Sequence, residues 1–298
     1  MRQVGDTPIT TASKQRWRTP PTPAALDAAE ATEWALVIAD RLGLYFPPER
    51  LQFLTDRLWS RVRELGLGSP ALYRAYLLSH PQEWDVLADA IVVNESRFFR
   101  EESLFRALAD HILPQHVRRR DAVGGKRELA IWSAGCSTGE EAYTLAMTAL
   151  ETLPLPSLWD LQVLGTDLAE SNLHRAREGV YEPRRLERLP QPWFDRYAEE
   201  CSGGRVRMRA AARAVTTFRQ HNLCGDLWPI GPQDVIACVN VIIYFRREDQ
   251  LGVLNRLYDT LRPGGYLLVG ATELPTVPIR PGVTPLRVGD ALAYHRAI

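Results

Sequence analysis

The chain has 298 residues, of which 45% are hydrophobic and 24% are charged. These proportions are typical of a soluble globular protein, and the length suffices for two domains or for one large domain with an appendage. The 36 basic residues balance the 36 acidic residues. No overall charge therefore favours nucleic acid or a membrane surface, and any electrostatic partner has to meet a local patch.

The N-terminal segment and the cysteines give the first information about the compartment. Residues 1–24 have neither the apolar core of a signal peptide nor helical periodicity, so we expect a flexible tail. The sequence contains no apolar run of roughly 18 residues, and we expect no membrane insertion. The four cysteines lack CxxC spacing, which favours reduced thiols in a cytoplasmic protein over disulfides or a metal site.

The first third of the chain has the apolar periodicity of helices. Apolar residues recur at helical spacing over 24–46, 49–67, 71–79, 83–93 and 103–117. No alternating strand pattern precedes about residue 128. We therefore predict an all-helical domain over 25–115, followed by a charged, glycine-containing linker over 116–127.

From residue 128 onward the pattern switches to buried strands. Strands are predicted at 128–135, 161–167, 216–223, 234–243 and 265–272, with helices between most of them. This alternation predicts an α/β domain over 128–298 with a mainly parallel sheet and helices on both faces. Sequence rich in proline and arginine over about 181–215 interrupts the alternation. It indicates a small inserted subdomain with short antiparallel strands around Gly203 and Gly204.

The first predicted strand ends in the sequence WSAGCSTGEEAY, over 132–143. In an open parallel sheet this turn is the expected ligand cradle. Its glycines, Gly135 and Gly139, lack the GxGxxG spacing of a dinucleotide site, and no lysine follows as in a phosphate-binding P-loop. The carboxylates that follow instead, Glu140 and Glu141, disfavour a polyphosphate and suit a nucleoside whose appended group is not strongly anionic.

A further carboxylate, Asp167, ends the next predicted strand. At this point of a nucleotide-binding sheet an acidic residue usually accepts hydrogen bonds from ribose hydroxyls. Capping of the following helix is the alternative interpretation. Thr138 and Glu141 likewise have the T-x-x-E spacing of a capping box, a common device without functional meaning. S-adenosylmethionine, a nucleoside with a cationic sulfonium and an amino acid, would satisfy Glu141 and Asp167 together.

Cys136 lies in the same turn and could be considered as a nucleophile. No histidine lies near it in the sequence to activate the thiol. We therefore favour a small turn residue.

Six motifs together resemble the chemotaxis protein methyltransferases of the CheR family, in that family's order. They cover nearly all of the chain after the tail: NESRFFRE (94–101), WSAGCSTGEEAY (132–143), LGTDLAESNLHRAREGVY (164–181), FRQHNL (218–223), CVNVIIYF (238–245) and LRPGGYLLVGATE (261–273). The resemblance implies a helical N-terminal domain packed on a Rossmann-like class I methyltransferase domain with a small inserted β-subdomain. It also implies S-adenosylmethionine as the cofactor, bound between the domains.

The resemblance further implies which residues form the site. The family's proposed catalytic pair corresponds to Arg100 and Tyr244. The cofactor-binding positions are Asn94, Ser96, Arg100, Gly135, Glu141, Asp167, Asn222, Leu223, Val239 and Asn240. Without the resemblance, residues 94–100 would be interpreted as an interhelical loop with two core phenylalanines, and Tyr244 as an ordinary aromatic residue at a strand end.

One departure from the family pattern affects this site. The strand motif usually reads C-R-N-V-x-I-Y-F, and Val239 stands where that arginine would be. Valine cannot supply the hydrogen bonds of a guanidinium, although its backbone can still contact the cofactor. Ser96 and Arg97 also differ from the usual neighbours of the paired phenylalanines, but Ser96 keeps the hydroxyl.

The reaction that the resemblance implies is methyl transfer to glutamate side chains of a chemoreceptor, giving methyl esters and S-adenosylhomocysteine. The partner would be the acidic, helical methylation region of the receptor. Arg50, Arg57 and Arg61 are spaced to lie on one face of the second helix, with Arg63 nearby, and the family uses basic residues of this helix against its receptor. A solvated basic face is the alternative interpretation.

Two other functions are compatible with the sequence. One is a cofactor-binding regulatory module of the same fold that has lost turnover, for which Val239 is the evidence. The other is a methyltransferase that acts on a different protein, since acceptor choice depends on surfaces rather than on the cofactor motifs. A nicotinamide-dependent oxidoreductase is disfavoured by the missing GxGxxG spacing.

Overall fold

The structure is a computed structural model. It describes residues 26–124, 126–226, 228–273 and 279–298, and the predicted tail over 1–24 lies outside them. Among the helices in these ranges, none is long and apolar enough to span a membrane.

Four helices open the described chain: α1 (Ala28–Leu42), α2 (Leu51–Glu64), α3 (Pro70–Ser79) and α4 (Glu83–Ile91). A capping box between Asp27 and Glu30 fixes the start of α1, and Gly43 ends it in the left-handed conformation at φ 79°. Apolar side chains from all four helices form one buried cluster around Ile38 and Leu54. The helical periodicity of the sequence therefore corresponds to a helical bundle.

Two further helices follow, with a π-helical turn between them: α5 (Glu102–Ala107), the turn over 108–112, and α6 (Leu113–Val123). The predicted linker over 116–127 is wrong for most of its length, because α6 occupies it. Polar side chains of this segment bind the backbone of two central strands of the sheet instead. Arg119 donates to the carbonyl of Gly264 at 2.8 Å, and the His116 ring nitrogen lies 2.8 Å from the carbonyl of Glu128.

The rest of the chain alternates between strands and helices. In chain order these are β1 (Glu128–Ala134), α7 (Glu140–Thr152), β2 (Asp160–Asp167), α8 (Glu170–Glu178), β3 (Val180–Tyr181), α9 (Gln191–Tyr197), β4 (Ala198–Cys201), β5 (Arg205–Met208), α10 (Ala210–Ala214), β6 (Thr216–Gln220), β7 (Gln233–Cys238), α11 (Arg247–Thr260), β8 (Leu261–Val269), β9 (Leu286–Val288) and β10 (Ala291–His295).

Seven of these strands form one sheet in the order β6-β2-β1-β7-β8-β10-β9. The first five are parallel to one another, and β10 runs antiparallel to both β8 and β9. The predicted Rossmann-like α/β fold is confirmed. The strand predicted over 234–243 ends at Cys238, and Ile242–Tyr244 form a 3₁₀ turn that reaches the site.

The remaining three strands form a separate antiparallel sheet in the order β3-β5-β4. The turn between β4 and β5 contains Gly203 and Gly204 at φ 77° and 67°, a region that glycine enters without strain. This sheet and helices α9 and α10 are inserted between α8 and β6, in the segment where the sequence predicts a subdomain.

The helical bundle packs against the carboxyl ends of the parallel strands. On one side, the N–H of Tyr45 donates to the carbonyl of Tyr244 at 2.7 Å. On the other side, the Asp89 carboxylate accepts from the N–H of Ser171, in the first turn of α8, at 3.1 Å. These contacts enclose the strand ends between the bundle and the sheet.

Candidate active site

A cavity lies at this junction. It is lined by residues of the bundle, the loop before α5, and the turns after β1, β2, β6 and β7. The open space inside it, counted out into the solvent at its mouth, is about 1170 Å³. The predicted site residues in the lining are Ser96, Arg100, Gly135, Glu141, Asp167, Asn222, Leu223, Val239, Asn240 and Tyr244.

The turn after β1 is built around its two glycines. Gly135 has φ 86°, and a Cβ at this position would lie 2.5 Å from Cγ2 of Val241. Gly139 has φ 95°, and its Cβ would lie 2.7 Å from Cβ of Ala176. Both positions therefore require glycine, for conformation and for space. Helix α7 begins at Glu140, directly after this turn, and Glu141 in its first turn lines the cavity.

Glu141 lies in the first turn of α7 and is directed towards β1. Its carboxylate accepts from the hydroxyl of Ser133 at 2.6 Å, while Thr138 donates to Glu140 at 2.7 Å. The capping box suggested by the spacing of Thr138 and Glu141 is therefore not formed. Burial, followed by the negative charge of Glu273, raises the pKa of Glu141 to about 7, against the hydrogen bond from Ser133.

Asp167 ends β2 and lies beside the same turn. Its carboxylate accepts from the N–H of Ser137 at 2.8 Å, the N–H of Ala169 at 3.0 Å and the amide of Asn172 at 3.1 Å. Burial raises its pKa against these three hydrogen bonds. Asp167 thus organises the backbone before α8 and also lines the cavity, and its contact with a ribose stays a prediction.

Cys136 is an inert member of the turn. Its side chain is buried, and burial together with the carboxylates of Asp167 and Glu141 raises the pKa of the thiol well above its usual value. A thiol that stays protonated is a poor nucleophile. The structure therefore agrees with a small turn residue.

The loop before α5 brings bundle-side residues to the cavity. Arg100 lines it and donates to the carbonyl of Glu95 at 2.7 Å. Asn94 does not belong to the lining, unlike the other predicted residues. Its side-chain oxygen instead accepts from the amide of Asn172 at 2.7 Å, and the same amide donates to Asp167. Asn94 therefore reaches the cavity through Asn172.

The turns after β6 and β7 complete the lining. The Asn222 side chain accepts from the N–H of Cys224 at 2.9 Å, which fixes its orientation. Val239 is 7% exposed and contributes an apolar surface where an arginine would be expected. Asn240 adopts φ 59°, an unusual conformation for a residue with a side chain. Tyr244 is half-buried at the end of the 3₁₀ turn.

Sequence reasoning missed several polar residues of the site. Among the described residues, three atoms that belong to cavity-lining side chains are buried without a hydrogen-bond partner: Oγ of Ser137, Oδ1 of Asn172 and Nε2 of His221. Burial, then Arg219 and Arg256, lowers the pKa of His221 to about 4, so its ring is neutral. Buried polar atoms normally have partners. These three atoms fit a cavity built for a polar ligand, such as a nucleoside with an amino acid.

The four arginines predicted to form a receptor face are not equivalent. Arg61 donates to the buried carboxylate of Glu83 at 2.9 Å, and Tyr73 donates to the same oxygen at 2.9 Å. Only 13% of its side chain is exposed. Arg61 is therefore a structural ion pair, and its prediction as a docking residue is wrong, because tertiary contacts turn it towards α4.

The other three arginines differ in their surroundings. Arg57 and Arg63 are exposed. Arg50 lies before the start of α2, lines the cavity, and its guanidinium lies 5.7 Å from the ring centroid of Phe46. The exposed basic surface is therefore smaller than the spacing indicates, and one of its members belongs to the site.

Comparison with known proteins identifies the family. Residues 94–280 match the family described as CheR methyltransferase, SAM binding domain, and residues 29–92 match the CheR methyltransferase all-alpha domain. A chemotaxis protein methyltransferase of Vibrio parahaemolyticus is 33% identical over 252 residues, which cover 82% of this chain and 88% of the relative.

Two further relatives give the same result. Chemotaxis protein methyltransferase 2 of Pseudomonas aeruginosa is 36% identical, with 78% of this chain and 81% of the relative covered. The chemotaxis protein methyltransferase of Escherichia coli is 34% identical, with 84% and 85% covered. S-adenosylmethionine is therefore the cofactor of this protein. The chain belongs to the CheR family, the S-adenosylmethionine-dependent methyltransferases of chemotaxis.

Proposed function

We propose that this protein transfers the methyl group of S-adenosylmethionine to glutamate side chains of a chemoreceptor, for adaptation in chemotaxis-like signalling. The products are glutamate methyl esters and S-adenosylhomocysteine. The observation that carries the proposal is the charge of the cavity wall on the bundle side. Arg50, Arg97 and Arg100 line the cavity on this side, against the two carboxylates of Glu95 and Glu101, and Arg97 is exposed. This arrangement suits an anionic acceptor that enters from solvent.

The chemistry requires positioning more than acid or base catalysis. A glutamate carboxylate has a pKa of about 4.3 and is already ionised at neutral pH, so no general base is needed. The bound cofactor supplies an electrophilic methyl group on a sulfonium. The protein has to hold a carboxylate oxygen in line with the methyl carbon and the sulfur. Because opposite charges disappear in this step, a site that excludes water favours it.

Residues of the loop before α5 and of the turns at the strand ends would hold the cofactor. We assign this role to Ser96, Arg100, Gly135, Glu141, Asp167, Asn222, Leu223, Val239 and Asn240, which all line the cavity. Asn94 would act through Asn172, since its side-chain oxygen binds that amide rather than the cavity. The carboxylates of Glu141 and Asp167 would meet the cationic and hydroxyl groups of the ligand.

Arg100 and Tyr244 are the candidates for handling the acceptor. Tyr244 would give a hydrogen bond at the reacting centre, and Arg100 would orient the carboxylate or the cofactor. The variant Tyr244→Phe should lower turnover at saturating cofactor by at least tenfold, with little change in cofactor affinity, since each lost hydrogen bond to a charged group costs about 1.5–3 kcal/mol. Tyr76→Phe, on α3, is the matched control. Equal losses of turnover and affinity would contradict the role of Tyr244.

The exposed arginines would steer the acidic receptor towards the mouth. Charge reversal of Arg57 and Arg63 should slow methylation at low salt and have less effect at high salt, because exposed charges are screened over about 8–10 Å. Arg118→Glu, an exposed arginine on α6, is the control for net charge. A loss that is independent of salt, or equal for Arg118→Glu, would remove this surface from the proposal.

The decisive experiment uses the purified protein, methyl-labelled S-adenosylmethionine and the cytoplasmic region of a chemoreceptor. The expected product is a labelled receptor that releases methanol in mild alkali, as carboxyl methyl esters do. Label on a different protein would favour another acceptor. Tight cofactor binding without any label transfer, with transfer restored by Val239→Arg, would favour the regulatory module.

A further inference from the structure

Glu273 lies just beyond β8, and its side chain is 4% exposed. Its carboxylate accepts four backbone hydrogen bonds. Oε2 accepts from the N–H groups of Asn240 at 2.6 Å and Gly270 at 3.1 Å. Oε1 accepts from the N–H groups of Val241 at 2.6 Å and Ile242 at 2.8 Å. One buried carboxylate therefore binds three successive amides of the turn after β7.

This turn depends on that carboxylate for its conformation. Three successive N–H groups that converge on one point form an anion-binding concavity, and Glu273 fills it. Asn240 has φ 59°, a left-handed conformation that asparagine tolerates better than most residues with a side chain. Hydrogen bonds to a charged acceptor are stronger than neutral ones, so they can hold such a conformation.

The same turn carries two residues of the proposed site. Asn240 and Tyr244 both line the cavity. The N–H of Tyr244 donates to the carbonyl of Val241 at 3.1 Å, so Tyr244 is fixed directly to the segment that Glu273 binds. A shift of the carboxylate would move both side chains.

We propose that Glu273 is a positioning residue, whose carboxylate holds Asn240 and Tyr244 in the geometry that binds the cofactor and transfers its methyl group. The part about Tyr244 rests on the proposed function. The part about Asn240 rests only on the binding of S-adenosylmethionine.

Glu273 also acts on the site through its charge. Its carboxylate raises the pKa of Glu141, second to burial. The other groups that face Glu141 are the Ser133 hydroxyl and the side chains of Arg100 and Glu101. Neutralising Glu273 leaves these groups in place and should lower the pKa of Glu141. This electrostatic effect separates a role in the site from a merely structural role.

Two variants test the proposal in different ways. Glu273→Gln removes the charge and leaves one oxygen for four amides. Gly270→Ala keeps the charge but displaces it, because a Cβ at Gly270 would lie 2.4 Å from Oε2 of Glu273. Glu187→Gln neutralises an exposed glutamate away from the cavity and is the control. Binding of S-adenosylhomocysteine is measured by calorimetry across pH, and receptor methylation is measured at saturating cofactor.

We expect Glu273→Gln to weaken binding at least tenfold at pH 8 and to move the pH midpoint of binding below that of the unmodified protein. Gly270→Ala should also weaken binding, with its midpoint closer to the unmodified value. Both should lose more turnover than Glu187→Gln. If Glu273→Gln fails to fold, Gly270→Ala carries the test alone.

Two results would overturn the proposal. One is unchanged binding in both variants. The other is weaker binding of Glu273→Gln by the same factor at every pH, with its midpoint unmoved, which would indicate a structural role only. The binding data need no acceptor protein. Failure of the unmodified protein to methylate a receptor would count against the proposed function and leave the binding test intact.

Discussion

Glu141 should make cofactor binding depend on pH near neutrality. Its carboxyl group has a pKa raised to about 7, first by burial and then by the charge of Glu273. We propose that the ionised form binds the ammonium group that S-adenosylmethionine and S-adenosylhomocysteine share, so the complex holds fewer protons than the free protein. Affinity should therefore rise as pH increases through about 7 and level off above it.

The magnitude follows from the fraction of Glu141 that is ionised. The pKa of Glu141 is about 7 in the free protein, and we take it to be much lower in the complex. The apparent dissociation constant is then proportional to 1 + 10^(7 − pH). The factor is about 11 at pH 6 and about 1.1 at pH 8, so affinity should improve about tenfold, or roughly 1.4 kcal/mol. About half a proton should be released on binding at pH 7.

Calorimetric titration with S-adenosylhomocysteine in two buffers of different ionisation enthalpy measures both the affinity at each pH and the number of protons released on binding. His221 does not interfere, since burial and nearby arginines lower its pKa to about 4. Glu141→Gln should bind weakly, with little pH dependence between 6 and 8. Affinity of the unmodified protein that stays constant over this range, or a Glu141→Gln variant with the same pH profile, would refute the reasoning.

The ion pair and the glycine turn give further predictions about stability. Arg61→Ala should lower the free energy of unfolding by about 3 kcal/mol in urea denaturation, because it leaves the buried Glu83 without a cation, whereas the exposed Arg57→Ala should cost less than about 1 kcal/mol. Similar losses in the two variants would contradict the structural role of Arg61. Gly139→Ala should cost about 3 kcal/mol or more from backbone strain and from contact with Ala176, measured by thermal unfolding. Gly203→Ala, at φ 77° with no neighbour within 4 Å of the added Cβ, should cost only the backbone strain of about 1–2 kcal/mol. Equal losses in Gly139→Ala and Gly203→Ala would mean that the chain relieves the contact with Ala176.

Local patterns predicted most of the elements in this chain. The helical spacing of apolar residues in α1 to α4 and the apolar strands β1, β2, β7 and β8 are visible in the sequence because each element buries one face or two. The edge strand β6 was also predicted as buried, but only Thr216 of it is buried. The short antiparallel strands β9 and β10 were missed, since three to five residues carry too little periodicity. The linker was wrong because charged residues of α6 bind backbone carbonyls that are distant in the sequence.

The site residues also divide into those that local sequence patterns predicted and those that depend on distant contacts. Gly135, Glu141 and Asp167, which line the cavity, were predicted from the turn after β1 and the end of β2, where a parallel sheet places its ligand. Asn172, His221 and Glu273 were missed, since their roles depend on partners that chain folding brings to them. The Asn172 amide, for example, binds Asn94, which lies 78 positions earlier in the sequence, and Asp167, which lies 5 positions earlier.

The sequence by itself determined the fold class, most of the elements in their order, the family and the cofactor, because periodicity, turn glycines and motif spacing are local properties of the chain. Only the tertiary structure decided which charged side chains are available at the surface or at the cavity. It pairs Arg61 with Glu83, brings Arg50 to the cavity, and places Glu273 under the turn of Asn240. A charged side chain acts according to its burial and its partners, and long-range contacts set both.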